Sequence, residues 1–208
     1  MDMLSLPTLA TFFVTALAIE LTPGPNMAYL ALLSAERGRR PGLFAVAGVT
    51  LGLAIIGLLA ALGLAAIIAQ NQLAYQAVRW AGILYLVWLG YDSWRDAQKP
   101  VGQEDYSARS HIYFRRGLIT NLLNPKAAVF YLAVLPNFLP AQASVASFIL
   151  LAAIYVFAAT FVHTMIVVLA SQLQPFFVQP ERRRTLGAIF GLLLVGVAIW
   201  LGLSTRQV

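Results

Sequence analysis

The sequence predicts an all-α integral membrane protein of six transmembrane helices, arranged as two inverted three-helix repeats with a broken first helix in each. Three observations predict it. The 208 residues are 60% hydrophobic and only 11% charged, whereas a soluble domain has roughly 45 to 50% apolar and about 25% charged residues. Six apolar runs are long enough to cross a hydrocarbon core of about 30 Å, which takes about 20 residues at about 1.5 Å each. The two mid-span proline clusters, around Pro25 and Pro125, fall in the first helix of each half.

The first run, Leu4 to Leu33, contains Ala16-Leu17-Ala18, which resembles a signal-peptide cleavage site. Its start carries Asp2 and no Lys or Arg, so it reads as a retained span. It is interrupted at Thr22-Pro23-Gly24-Pro25-Asn26. The second and third runs, Leu43 to Ala69 and Leu73 to Tyr91, complete a first repeat over residues 1–95. A cytoplasmic loop is expected at 96–116. The second repeat, 117–208, has runs at Gly117 to Leu139, Val145 to Leu173 and Leu186 to Leu203. Its first run is interrupted at Asn121-Leu122-Leu123-Asn124-Pro125-Lys126. With three spans per half the halves enter the membrane from opposite sides, the arrangement of inverted repeats. Trp88-Leu89-Gly90 and Trp200-Leu201-Gly202 also recur near the ends of the third runs. All of this forms one membrane domain.

Lys and Arg set the orientation, because short cytoplasmic loops carry the excess. Eleven of the fourteen basic residues fall in three loops: Arg37 to Arg40, Arg95 to Arg116 and Arg182 to Arg184. The loops on the other side, Gln70 to Gln72 and Pro140 to Ser144, hold none. Both termini are therefore expected outside. The net charge of +6 punctuates apolar runs rather than lining one soluble face, which argues against nucleic acid. No cysteine and only two histidines leave no thiolate metal centre, and neither a metal nor a cofactor is expected.

Proline has no N–H to give to residue i−4, so Pro23, Pro25 and Pro125 free the carbonyls of Ile19, Leu21 and Asn121. Asn124-Pro125 reads as an N-cap and first helical residue, and Gly24-Pro25 or Thr22-Pro23 plays that part in the first half. Each break then starts a half-helix whose N–H groups favour a carboxylate, while freed carbonyls favour an ammonium. A zwitterion suits both. Glu20 lies about midway along the first run, and Lys126 lies roughly 13 Å into the fourth. Charges so deep are costly and mark pathways or pair with each other.

The candidate substrate and coupling residues are Glu20, Pro23, Gly24, Pro25, Asn26, Asn121, Asn124, Pro125 and Lys126, with Tyr29 and His163 ranked lower. Glu20 is the expected proton carrier and His163 the next in line. Ala28, Tyr29, Phe130 and Tyr131 are expected to line a cavity for an aliphatic or small polar side chain. The blander readings are a proline kink without a substrate and a structural Glu20 to Lys126 ion pair. Asp92 beside Arg95 reads as an interfacial cap. Gly48-x-x-x-Gly52 and Gly187-x-x-x-Gly191 suit close helix packing within the bundle, or a homodimer.

At these motifs the chain resembles the LysE/RhtB family of bacterial amino-acid exporters. The resemblance rests on Leu21 to Asn26; on Gly38-Arg39-Arg40-Pro41-Gly42-Leu43 with Gly48 and Gly52; on Gly82 to Tyr85-Leu86 with Leu89-Gly90; and on Phe114-Arg115-Arg116-Gly117 through Asn121 to Lys126 as far as Leu135-Pro136-Asn137-Phe138. Pro41 departs from it, since the family more often has a small residue such as Ala there. The resemblance implies efflux of an amino acid or close derivative across the bacterial cytoplasmic membrane, coupled to proton influx; the expected partners are the substrate, protons and membrane lipid, with a homodimer possible and no nucleic acid. The charge balance of Glu20 against Lys126 points to a neutral substrate such as threonine, homoserine or leucine. The alternatives are a channel, an exporter of another small solute, and a membrane-embedded enzyme using Glu20, Lys126 and His163; no nucleophile or nucleotide motif accompanies the last.

Overall fold

A computed structural model of the chain describes residues 4–63, 71–97, 110–140, 144–177 and 180–204. Among these every regular element is helical. The expected turn at Gln70, most of the loop 96–116 with Lys99 and Arg109, and both chain ends lie outside the described residues, as do the side chains of Arg79 and Arg182 to Arg184.

Helix α1, Leu6–Glu20, opens on Ser5, whose hydroxyl accepts the Thr8 N–H at 3.3 Å. It stops where Pro23 and Pro25 can no longer supply ladder donors. Helix α2, Pro25–Arg37, begins with proline in its first turn, where the missing N–H costs nothing. The two are bent by 62°. Gly38 then turns the chain with φ of +88°, a left-handed conformation that favours glycine, and α3 follows at once over Arg39–Ala61. Helix α4 covers Gln72–Ala97 and α5 covers Ser110–Leu122.

The second break repeats the first with a different cap. The Asn124 side chain accepts the Lys126 N–H at 3.1 Å and opens α6, Pro125–Val129, the N-cap arrangement expected of Asn before Pro. The chain continues through a π turn, Phe130–Val134, and a 3-10 turn, Leu135–Phe138. Pro136 offers no N–H there, which accounts for the departure from α geometry. The Asn137 amide donates to the Ala133 carbonyl at 2.6 Å, satisfying one backbone group of the distorted turn. This broken pair is bent by 51°. Helix α7, Val145–Ala170, passes through a 3-10 turn at Ser171–Leu173 into the short α8, Gln174–Phe177, and α9 covers Pro180–Ser204.

By length and apolarity, α3 and α7 with its 3-10 extension can each cross a membrane, and each bent pair can be a further span, giving two to four among the described residues. Helix α9 adds a shorter apolar stretch, Gly191–Trp200.

Glycine decides which helices touch. Helix α3 packs most closely on α5, and α4 on α9. A β-carbon at Gly48 would strike the Phe114 carbonyl of α5, and one at Gly117 would strike the Ala45 carbonyl of α3. Gly90 and Gly191 meet in the same way, each 2.9 Å from the other's carbonyl once a β-carbon is added. The small-residue motifs thus serve contacts within the chain, a common use of glycine in membrane bundles. Helix α7 packs against α1, α2 and α3. The core there is aromatic: Phe130 stacks on Tyr155 with ring centres 3.6 Å apart, and Phe12 meets Phe138 edge-on.

Arginine-bearing segments converge at one end of the bundle. Arg37 donates to the Tyr113 hydroxyl at 3.2 Å, joining α2 to α5. Asp92 binds Arg116 at 2.6 Å and lies 3.9 Å from Arg95, joining α4 to α5. Asp92 is therefore more than a cap on its own helix. Arg116 also lies over the Trp88 ring, 5.3 Å from its centre, a favourable cation–π placement.

Candidate substrate and coupling site

The two breaks face each other. Lys126, in the first turn of α6, reaches the Thr22 carbonyl in the α1–α2 break with its Nζ at 3.0 Å. A β-carbon on Gly24 would stand 3.5 Å from Lys126 Cδ and 3.9 Å from its Nζ. Residues 104 apart in sequence are thereby joined by one ammonium spanning both interruptions.

Two of the carbonyls that proline frees are used locally. The Ile19 carbonyl accepts the Thr22 N–H at 3.1 Å and the Thr22 hydroxyl at 2.5 Å, and the Asn121 carbonyl accepts the Asn124 N–H at 2.9 Å. The sequence expectation that these oxygens wait for an ammonium does not hold for Ile19 and Asn121, because the chain turns tightly enough to use them itself. The half-helix starts also differ. Asn124 caps α6 with its own side chain, whereas Gly24 gives α2 no side-chain cap. An uncapped start retains unpaired N–H groups and the positive end of the helix dipole, and so retains its attraction for a carboxylate.

Glu20 closes α1 and is buried, 5% exposed. Its Oε1 accepts a hydrogen bond from the Tyr155 hydroxyl at 2.7 Å, and its Oε2 lies 3.2 Å from His163 Nε2. Both partners come from α7. No ion pair joins Glu20 to Lys126 among the described residues; each charge has its own polar partner instead. The carboxylate and imidazole are two proton-binding groups within reach of one another, so the pair can take up and release a proton without either group standing alone in a dry interior.

Five buried side-chain atoms have no hydrogen-bond partner among the described residues: Asn26 Oδ1, both amide atoms of Asn121, His163 Nδ1 and the Tyr29 hydroxyl. Buried polar atoms are rarely left unsatisfied without a water or ligand. Four belong to the sequence-predicted residues at or beside the breaks and on α7. Tyr29 does not join them; it lines a separate small cavity with Glu36, Arg37 and Arg116 at the arginine end. Asn121 packs against Gly52 of α3, where a β-carbon would lie 2.8 Å from Asn121 Oδ1. Pro23 is exposed while Gly24, Pro25 and Asn26 are buried. Phe130 and Tyr131 are packed rather than cavity-lining, one stacked on Tyr155 and the other donating its hydroxyl to the Leu53 carbonyl at 3.0 Å.

Sequence reasoning missed Tyr155 and the Thr22 carbonyl. Tyr155 stands eight residues before His163, on the same stripe of a helix, and a polar tip paired with a histidine on an otherwise apolar face was the available signal. The Thr22 carbonyl is backbone and carries no sequence signal beyond the prolines.

The comparisons with known proteins extend over nearly the whole chain. It is 30% identical over 195 residues to the homoserine/homoserine lactone efflux protein of Salmonella typhimurium, covering 90% of this chain and 93% of that one. It is 32% identical over 199 residues to the leucine efflux protein of Klebsiella pneumoniae, covering 90% and 91%. An uncharacterised membrane protein of Vibrio cholerae is 30% identical over 192 residues, covering 91% and 94%. No solved structure matches. Residues 17–205, which include both breaks, Glu20, Lys126 and His163, match the family described as LysE type translocator, and the chain belongs to that family.

Proposed function

We propose that this protein is a secondary transporter that exports a neutral, zwitterionic amino acid across the bacterial cytoplasmic membrane in exchange for protons. The observation that carries the reading is the meeting of two broken helices beside a buried Glu20–His163 pair, with Lys126 bridging the breaks. Relatives named for homoserine and leucine efflux support the substrate class. Discontinuous helices facing each other are how membrane transporters offer unpaired backbone to a small charged solute without exposing it to lipid.

In this reading the substrate and the proton compete for one site. With Glu20–His163 deprotonated, the site at the two breaks accepts the zwitterion from the cytoplasm. Protonation from outside follows release, and the loaded pair resets the protein. Glu20 and Lys126 cancel in charge, and neither break supplies a second acid to hold a cationic side chain. Six spans in two inverted repeats are proposed as the scaffold, with both termini outside. Three pairings favour it: third helix α4 on third helix α9, α3 on the first helix of the other half, and α7 on α1 and α2. A two-fold axis in the membrane plane would generate such a set.

Inside-out vesicles test the transport reading. With an acidified interior they should accumulate labelled leucine, threonine or homoserine above the external concentration, and an uncoupler should release it. Equilibration without accumulation would make the protein a channel. Lysine or arginine displacing the label better than leucine would overturn the neutral-substrate reading.

A further inference from the structure

Between α2 and α9 lies a cavity of about 550 Å³, within the roughly 300 to 1,000 Å³ range of small-molecule sites. It exists because its walls are short of side chains. Ala28 and Ala31, three residues apart and so on one face of α2, share the wall with Gly196 of α9, where an added β-carbon would meet nothing within 4 Å. Met27, Leu193 and Trp200 make the wall apolar. Gly24, the N-cap without a side-chain cap, borders the cavity, and a β-carbon built on it would stand 3.9 Å from the Lys126 ammonium.

We infer that this cavity is the side-chain subsite of the transporter, taking the aliphatic side chain of an amino acid whose α-carboxylate lies against the uncapped start of α2 and Lys126. The inference rests on the transport reading above. A carboxylate on an apolar stem matches the cavity's chemistry at both ends: positive potential at the helix start and an apolar wall beyond it. A lipid acyl chain would fill the hollow and make no use of the charge. The opposite break offers no equivalent place, because Asn124 occupies the start of α6.

A β-carbon at Gly196 would meet nothing within 4 Å, so Gly196→Leu adds its bulk to the hollow. The readout is the concentration of unlabelled leucine, and of homoserine, that halves uptake of the labelled substrate which wild-type vesicles accumulate. In Gly196→Leu the leucine value should rise about tenfold or more while homoserine shifts less than about threefold, since hydrophobic pockets discriminate by about tenfold or more per methylene-sized change. Equal shifts, or none, would overturn the subsite and favour lipid as the occupant. Met27→Ala, which widens the hollow, should move phenylalanine up the order relative to leucine; an unchanged order also overturns it. Wild-type vesicles that concentrate no amino acid would instead sink the transport reading, and the subsite with it.

Discussion

At the residue scale the dominant fact is that Glu20 is bound twice from α7 and not at all from its own helix. A buried carboxylate is costly unless hydrogen-bonded, and each bond to a charged group is worth about 1.5 to 3 kcal/mol. Tyr155→Phe keeps the ring stacked on Phe130 while deleting one of those bonds, so it should lower the thermal midpoint of the purified protein by several degrees and leave the fold intact. A midpoint unchanged from wild type would mean that water replaces the hydroxyl or that Glu20 is neutral there. Glu20→Gln removes the carboxylate yet keeps the size. On the proposed antiport it should abolish proton-driven accumulation while allowing exchange of labelled for unlabelled substrate across the same vesicles. If uphill uptake survives with normal pH dependence, the coupling proton is carried elsewhere, and His163→Gln is the next variant to measure.

At the element scale the glycines and caps determine the packing. Gly48 faces the Phe114 carbonyl and Gly117 the Ala45 carbonyl at the α3–α5 contact, where a carbonyl cannot swing aside as a flexible side chain can. Overpacking a tight interior costs about 1 to 3 kcal/mol, so Gly48→Ala and Gly117→Ala should each reduce thermal stability and the yield of monodisperse protein. Gly196→Ala, with nothing within 4 Å, should do neither. Equal behaviour of the three in a melting series would refute this assignment of helix contacts. The sequence made much of this level legible. Asn124 and Pro125 located a helix start to the residue, because proline's missing donor is a local property, while in the first half the sequence left Gly24-Pro25 and Thr22-Pro23 both open and the helix starts at Pro25. The Gly48 and Gly52 spacing announced close approach but not the partner helix, which depends on packing between distant segments. The turn at Gly38, where φ is +88°, was missed inside a basic stretch read as loop. The π and 3-10 turns after Val129 were missed as well, since Pro136 signals a disturbance and not which geometry absorbs it.

At the scale of the whole molecule the chain has a polar, arginine-bearing end, and charge there relates structure to orientation. Arg37, Arg95 and Arg116 come from three segments separated in sequence, yet Tyr113 and Asp92 gather them at one end of the bundle. Inward-facing positive charge is the strongest sequence determinant of orientation, so that end is expected in the cytoplasm and the α3–α4 connection on the opposite face. A re-entrant hairpin at Pro23-Gly24-Pro25 would reverse every later loop. Helix α2, with 13 residues, rises only about 20 Å, too short to cross the membrane alone, so the proposed topology takes α1 and α2 as one bent span and a re-entrant hairpin is the competing arrangement. Single cysteines separate the cases cleanly because the native chain has none. Introduced at Gln72 and at Gly102 and exposed to an impermeant thiol reagent on intact cells, position 72 should be modified and position 102 protected until the membrane is opened. The reverse pattern would refute the six-span orientation, whether through a hairpin at the first break or through a chain inserted the other way round, and modification of both from outside would mean that the segment between them does not cross the membrane an odd number of times.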